Sequence, residues 1–453
     1  MGQYGFEALV GSYPSATLLR DALYNTGLFG HLLGPYLEAS EGDARFRVRC
    51  RSSGVMVADD DSSCDSRVNI TPAVNSRRCC LTRRRSGCAC ARRSEIPNLL
   101  LRKTCEWMKL LILGGTRFVG RHLVTAALAR NHEITLFNRG KHPSAALQSV
   151  ETIYGDRNSD LAQLQGRRWD AVVDTCGYLP RTVSASAEIL SHSVDAYVFI
   201  SSLSVYADVS VLGIDETAPL KTLTDEELQK ANAIDSSGQA SAVTYGAMYG
   251  GLKALCEQAA EEALPNRVLI IRPGLIVGPF DYTDRFTYWV ARVARGGEVL
   301  APGRPDRYVQ FIDVRDLAEW SVRMIERKGS GVYNAAGLPK NLTMGRVLEE
   351  CKTVSESDAS FTWADERFLL QEKVAAWSEM PLWLPEEGAP HMKGFMFINC
   401  HKAVAAGLSC RLLNDTIKDT LIWRKTNHAD EELKAGMDRD KEQRLLRKWH
   451  EAH

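Results

Sequence analysis

The chain has 453 residues, room for two domains or for one large domain with an extension. Its apolar content of 45% is that of an ordinary globular protein, and its formal net charge of +0 supplies no global field for nucleic acid or an acidic membrane. No apolar run is long enough to cross a bilayer, and no internal repeat is visible.

Residues 1–107 read differently from the rest. Ala16 to Leu33 has the pattern of a weak helix, and Arg45 to Arg102 mixes arginine, serine and cysteine without apolar periodicity. Cys79, Cys80, Cys88 and Cys90 have no histidine near them and no paired C-x-x-C spacing, which argues against zinc. Asp59, Asp60, Asp61 and Asp65 argue against a transit peptide. A disordered or non-native extension is expected, with Met108 at the start of the folded unit. Cys176, Cys256, Cys351, Cys400 and Cys410 fall mostly in apolar segments, as reduced thiols of a cytoplasmic protein do.

From Lys109 the pattern alternates strand and helix. Leu110–Leu113 is a short apolar run, the mark of a strand buried on both faces. Gly114, Gly115 and Thr116 form a turn, and Phe118, Val119, Leu123 and Val124 follow at helical spacing, so the helix N-terminus is a seat for phosphate. Further strands are expected at 133–138, 152–154, 171–174, 196–201 and 268–272, with a helix at 182–190 between two of them. The expected fold class is α/β, a Rossmann-type doubly wound parallel sheet. Beyond Pro273 the order becomes irregular. Helices are expected at 285–294, 313–326, 402–407, 415–423 and 431–449, and short strands at 308–312 and 332–335. This gives a dinucleotide-binding domain over 108–272. Residues 273–453 form mainly a smaller α+β substrate lobe with C-terminal helices, some segments returning to the sheet.

Three features carry chemistry. After the second strand, Asn138-Arg139-Gly140-Lys141 holds cations where NAD-specific folds place an acid, which favours NADP, with NAD the alternative. Arg139 and Lys141 are also readable as plain loop charges. Asp156 and Arg157 follow the third strand, and Asp156 either meets the adenine or caps its own turn. Ser201 to Tyr206 brings hydroxyls to the carboxyl end of the fifth strand, facing the ligand crevice or serving the turn. In Tyr249-Gly250-Gly251-Leu252-Lys253, one helical turn puts Tyr249 and Lys253 on one face. A nearby ammonium lowers a phenol's pKa from its usual value of about 10, so the pair suits acid–base work on a carbonyl or carbinol. Tyr245 has Tyr249, not lysine, at the same offset.

The matched stretches are GGTRFVG (114–120), FISSLSVY (199–206), YGGLK (249–253), RPGLIVGP (272–279) and QFIDVRDLA (310–318). Together they resemble the extended and atypical short-chain dehydrogenase/reductases, the NAD-dependent epimerase/dehydratase group, over residues 108–449. The resemblance implies that Gly114, Thr116, Arg117, Phe118, Val119 and Gly120 hold the cofactor pyrophosphate. Tyr249 becomes the general acid/base, Ser202 orients the substrate oxygen, and Lys253 binds the nicotinamide ribose and lowers the tyrosine pKa. There are three departures from the family: Arg117 replaces the middle glycine, Leu203 and Ser204 replace the Asp-Glu pair of dehydratases, and Val309 stands where sugar-nucleotide epimerases carry a diphosphate-holding arginine, with Arg307 nearby. The expected function is oxidoreduction or epimerisation of a small molecule by a monomer or homodimer, with no membrane partner. A sugar-nucleotide epimerase is one alternative. GGTRFVG and TLFNRGK also look like the chloroplast stem-loop RNA-binding proteins, so RNA binding, or cofactor sensing without turnover, is another. The intact Ser202, Tyr249 and Lys253 weigh against nucleic acid. The long segment 207–248 is expected to cover the site.

Overall fold

The computed structural model describes residues 45–50, 54–59, 107–142, 147, 149–234, 240–337, 342–387, 389–427 and 431–453. The chain divides into two compact units, residues 1–98 and 99–453. In the first, Arg45–Cys50 pairs antiparallel with Gly54–Asp59, Arg45 opposite Asp59 and Cys50 opposite Gly54. This corrects the expectation of no periodicity there: RFRVRC alternates arginine with Phe46, Val48 and Cys50, the period of a strand. The other expectations for residues 1–106 lie outside the described residues.

The second unit is built on a seven-stranded sheet. Its strands are β1 (Lys109–Leu113), β2 (Glu133–Asn138), β3 (Glu151–Tyr154), β4 (Trp169–Asp174), β5 (Val194–Ile200), β6 (Val268–Pro273) and β7 (Gly331–Ala335). All pairings are parallel, in the order β7-β6-β5-β4-β1-β2-β3. Successive residues of β1 face opposite sides. Leu110 and Ile112 pack with Leu123, Val124, Leu317 and Trp320, under helices α1 (Phe118–Leu128) and, later in the chain, Val314–Glu326. Leu111 and Leu113 pack with Val183, Leu190, Cys256 and Ala260, under α2 (Pro180–Leu190) and α3 (Tyr249–Ala263). Double-sided burial explains the unbroken apolar runs, and each fully buried aliphatic side chain contributes about 1.5–3 kcal/mol.

Many of the described residues after β6 share a second core. Two short parallel pairs, Leu275–Val277 with Phe311–Asp313 and Glu298–Pro302 with Ser360–Ala364, stand apart from the main sheet. Around them lie α4 (Arg285–Ala294), α5 (Met344–Ser355), α6 (Leu413–Asn427) and α7 (Arg439–Ala452), sharing a core that includes Phe286, Trp289, Leu348, Ile417 and Leu445. The strand expected at 308–312 is Phe311–Asp313, and the last helix starts at Arg439 rather than 431. Gly436 at φ +116 breaks the chain there, and Asp438 caps the new start by accepting from the Asp440 and Lys441 backbone N–H groups at 2.9 and 3.1 Å. A buried ion pair, Arg292 Nε to Glu442 Oε2 at 2.6 Å, ties this helix to α4. No helix among the described residues is long and apolar enough to cross a membrane.

The chain runs outward from β1 through β2 to β3, then returns to the other side of β1 at β4. That reversal opens a crevice beyond the carboxyl ends of β1 and β4, where ligands of such sheets bind.

Candidate active site

A cavity of about 900 Å3 occupies the crevice, and every site residue expected from the sequence lies in its wall. Gly114 and Gly115 leave β1 at φ +100 and +85, which a side chain would oppose. A Cβ on Gly114 would come 2.5 Å from Thr175 Oγ1, and one on Gly120 would come 2.7 Å from the Gly115 Cα, so both glycines allow close packing. Arg117 adopts extended backbone at φ −121, which any residue can take. No side chain caps the first turn of α1, and no acid lies in it. Uncapped N–H groups beside a cradle that a Cβ would fill suit a dinucleotide pyrophosphate, with Thr116, Phe118 and Val119 in the same turn. The Arg117 guanidinium lies over the Tyr282 ring, 4.1 Å from its centroid.

At the end of β2, Asn138 Oδ1 accepts from Gly140 N at 2.8 Å, while its Nδ2 is buried without a partner. Arg139 and Lys141 stand beside it in the wall. Burial, then the charges of Arg117, Arg139 and Lys141, lower the His142 pKa, so the cations converge on one place. Asp156 caps its own turn, accepting from the Asn158 backbone N–H at 2.9 Å, the second of its two expected roles. Arg157, in the same wall, grips the buried Asp174 at 2.8 Å through both Nη atoms and also donates to Ser186 Oγ at 2.8 Å.

Ser202 follows β5, its Oγ accepting from Ser204 N at 3.1 Å. It lies beside the Tyr249 phenol, at the first residue of α3, close enough to act on its pKa. Burial pushes the Tyr249 pKa up to about 12, and Ser202 only partly opposes this. The expected lowering by lysine is absent from this arrangement. Lys253 Nζ turns away and donates to the carbonyls of Gly177 at 2.8 Å and Ile200 at 2.7 Å, over the Phe199 ring at 4.0 Å. Burial lowers the Lys253 pKa. The site as built holds Tyr249 protonated at neutral pH.

Other wall residues gave no signal in the sequence: Tyr178, Asp281, Tyr282, Arg285, Trp377 and Lys434. Tyr178 closes the β4 turn, a position its strand context marks. Trp377 and Lys434 arrive from distant segments of the chain. Of the covering segment 207–248, Ala240 to Val243 and Tyr245 reach the cavity.

Two curated relatives align with this chain. A chloroplast stem-loop binding protein of 41 kDa from Arabidopsis thaliana is 24% identical over 54% of this chain and 62% of its own length. A 2-alkyl-3-oxoalkanoate reductase from Stenotrophomonas maltophilia is 30% identical over 47% of this chain and 64% of its own length. The chain thus spans less than two thirds of either. Among solved structures, an epimerase-like protein of Burkholderia cenocepacia superposes with a TM-score of 0.51 at 18% identity, over 70% of this chain and 98% of that one. A UDP-Glc/GlcNAc 4-epimerase of Campylobacter jejuni gives a TM-score of 0.51 at 18% identity, over 70% of this chain and 99% of that one. These likenesses show the shared fold. The sequence model of one family spans residues 110–336, half of the chain from β1 to just past β7, and the protein belongs to that family, the NAD dependent epimerase/dehydratase family.

Proposed function

We propose that the protein is an NAD(P)-dependent oxidoreductase that reduces a carbonyl of a small molecule, through Ser202, Tyr249 and Lys253. The observation that carries this reading is that Ser202, Tyr249 and Lys253 meet in the wall of the cavity that the glycine turn opens. A nicotinamide dinucleotide, when bound, supplies the hydride. Ser202 then holds the substrate oxygen and Tyr249 gives it a proton as negative charge develops. Lys253 spends two of its three N–H groups on backbone carbonyls and keeps the third for a hydroxyl group in the cavity. The kinship with a 2-alkyl-3-oxoalkanoate reductase supports carbonyl reduction. Loss of nicotinamide absorbance with a panel of ketones and oxo acids tests it; no loss with any of them, together with conversion of a sugar nucleotide to its epimer without net consumption of nicotinamide, would replace it with the epimerase reading.

One observation separates the readings. Arg307, the cation nearest the diphosphate-holding position of sugar-nucleotide epimerases, is committed to Glu366 and the Leu384 carbonyl, and Val309 is buried. That favours a small carbonyl substrate. The likeness to a chloroplast stem-loop binding protein supports an RNA-binding alternative, against which the intact Ser202, Tyr249 and Lys253 weigh.

Cofactor choice follows from the cations after β2. NADPH is expected to bind more tightly than NADH, and Arg139→Asp to flatten or reverse the preference. A 2′-phosphate adds charge-assisted contacts of about 1.5–3 kcal/mol beside Arg117, Arg139 and Lys141. Fluorescence titrations of both cofactors measure this, and equal dissociation constants in the unmodified protein remove the idea.

A further inference from the structure

Three segments far apart in the chain, 281–285, 376–378 and 434–435, meet in the cavity wall, and the proposed chemistry uses none of them. Hydrogen bonds tie them together: Lys434 N donates to Asp284 Oδ2 at 3.1 Å, and Gly436 N donates to the Ser378 carbonyl at 2.7 Å. They bring rings and cations to one part of the wall. The Arg285 guanidinium lies over the Trp377 ring, 5.3 Å from its centroid, and Trp377 meets Phe395 edge-on with centroids 6.1 Å apart. Lys434 Nζ lies 6.0 Å from the centroid of Tyr282. Trp377 is held at φ +66, a region that a bulky side chain avoids, by hydrogen bonds from its own N–H to the Met380 carbonyl at 3.2 Å and from Ser378 N to the Ala376 carbonyl at 2.8 Å. Strain of this kind concentrates where a side chain has to stand in one position.

Arg285 is half-buried, and its guanidinium nitrogens have no hydrogen-bond or ion-pair partner among the described residues, yet none of them is sealed from solvent. A guanidinium resting on a wall ring, with open nitrogens, faces the space that the ring borders. Lys434 is exposed in the same wall. The acids of these segments turn the other way. Asp281 is 0% exposed, with Oδ1 accepting from Thr283 N and Oγ1 at 2.8 and 2.7 Å, and Asp284 is buried and accepts from Lys434 N. The charge presented to a ligand is therefore positive, although the acids behind it balance the segment. A guanidinium fixed on a ring is pre-organised to donate two parallel hydrogen bonds.

We propose that Arg285, seated on Trp377, selects the substrate by holding its carboxylate, with Lys434 adding attraction and Tyr282, Trp377 and Phe395 covering an apolar body. The preferred substrate class is then an oxo acid with an apolar or aromatic body, rather than a neutral ketone or a sugar. One guanidinium and one lysine, in front of two inward-turned carboxylates, match a single negative charge better than the dianion of a phosphate ester. This rests on the carbonyl-reductase reading for the oxo group, but the anion contact is a binding feature and is testable without turnover.

The probes are 2-oxo-4-phenylbutanoate and its amide, which share the oxo group, the ring and the size and differ by one charge, together with 2-phenylethyl phosphate. Calorimetry measures their dissociation constants with the full chain, unmodified, Arg285→Met and Arg285→Lys, with NADP+ present so that the anions do not settle at the glycine turn. The unmodified protein is expected to prefer the acid over the amide by about 10-fold. Arg285→Met keeps an apolar stem over Trp377 and is expected to remove the preference by weakening the acid while leaving the amide nearly unchanged. Arg285→Lys keeps the charge without the paired donors and is expected to retain part of the preference. Melting curves report whether each variant is folded, and Arg285→Gln serves if the methionine variant is not. Binding of neither acid nor amide, equal binding of the two, or a preference unchanged in a folded Arg285 variant overturns the proposal, and tighter binding of the phosphate than of the acid overturns the carboxylate class. An Arg285-dependent preference without turnover keeps the anion contact and removes the reductase reading; turnover with a preference indifferent to Arg285 does the reverse.

Discussion

Tyr249→Phe is expected to abolish turnover while leaving cofactor affinity nearly unchanged. Phenylalanine keeps the ring against Tyr178, whose centroid lies 6.3 Å away, and deletes only the hydroxyl beside Ser202. A positioned acid or base contributes about 10²–10⁴-fold, so the loss in kcat should be at least of that order. The pH profile gives an independent check. With Tyr249 raised to about 12 by burial, the phenol stays protonated throughout the neutral range, and reduction should show no loss from tyrosine ionisation below about pH 9. An inflection near neutrality that vanishes in Tyr249→Phe would mean that Lys253 swings onto the tyrosine in the working complex and restores the lowered pKa first read from the Tyr-x-x-x-Lys spacing. Near-original turnover by the phenylalanine variant would make Tyr249 a packing residue and bring the RNA-binding reading forward.

That difference between spacing and geometry shows what the sequence could carry. Tyr249 and Lys253 lie one turn apart on one helix, so their shared face was legible from the sequence. The direction of the ammonium was not, because it depends on carbonyls of Gly177 and Ile200 that the sheet brings in from β4 and β5. The sheet strands were readable for a related reason. Burial on both faces leaves an unbroken apolar run, as in Leu110–Leu113, whereas the short pairs around Leu275–Val277 and Glu298–Pro302 owe their strand form to partners far along the chain. Arg285 sat just beyond a matched motif, yet its meaning lies in the Trp377 ring beneath it, which arrives from far along the chain.

Arg157→Met should destabilise the fold more than it harms cofactor binding. Arg157 was expected at the cofactor, but the structure spends its guanidinium on Asp174, whose oxygens also accept from the Tyr197 hydroxyl at 2.8 Å and the Cys176 backbone N–H at 3.0 Å. Burial alone would push the Asp174 carboxyl up; the Arg157 charge and these hydrogen bonds more than offset it, and the pKa falls below 3.8. Removing the arginine strands a buried carboxylate, a loss of about 3–5 kcal/mol. For a chain of this size that corresponds to a fall in melting temperature on the order of 10 °C. The sign with pH follows from the lowered folded pKa. In the unmodified protein the pair's contribution is complete above the unfolded pKa and is lost as pH falls through the lowered folded value. In the variant, burial raises the pKa of the stranded carboxyl, which takes up a proton first. The gap between unmodified and variant melts should therefore narrow steadily as pH falls, starting above the usual carboxylate range. Pairing Arg157→Met with Asp174→Asn, which discharges the stranded group, should recover part of the loss. If instead Arg157→Met melts with the unmodified protein and only the NADPH affinity falls, the arginine is a cofactor ligand after all, and the buried clamp on Asp174 contributes little to holding β4 at the edge of the crevice.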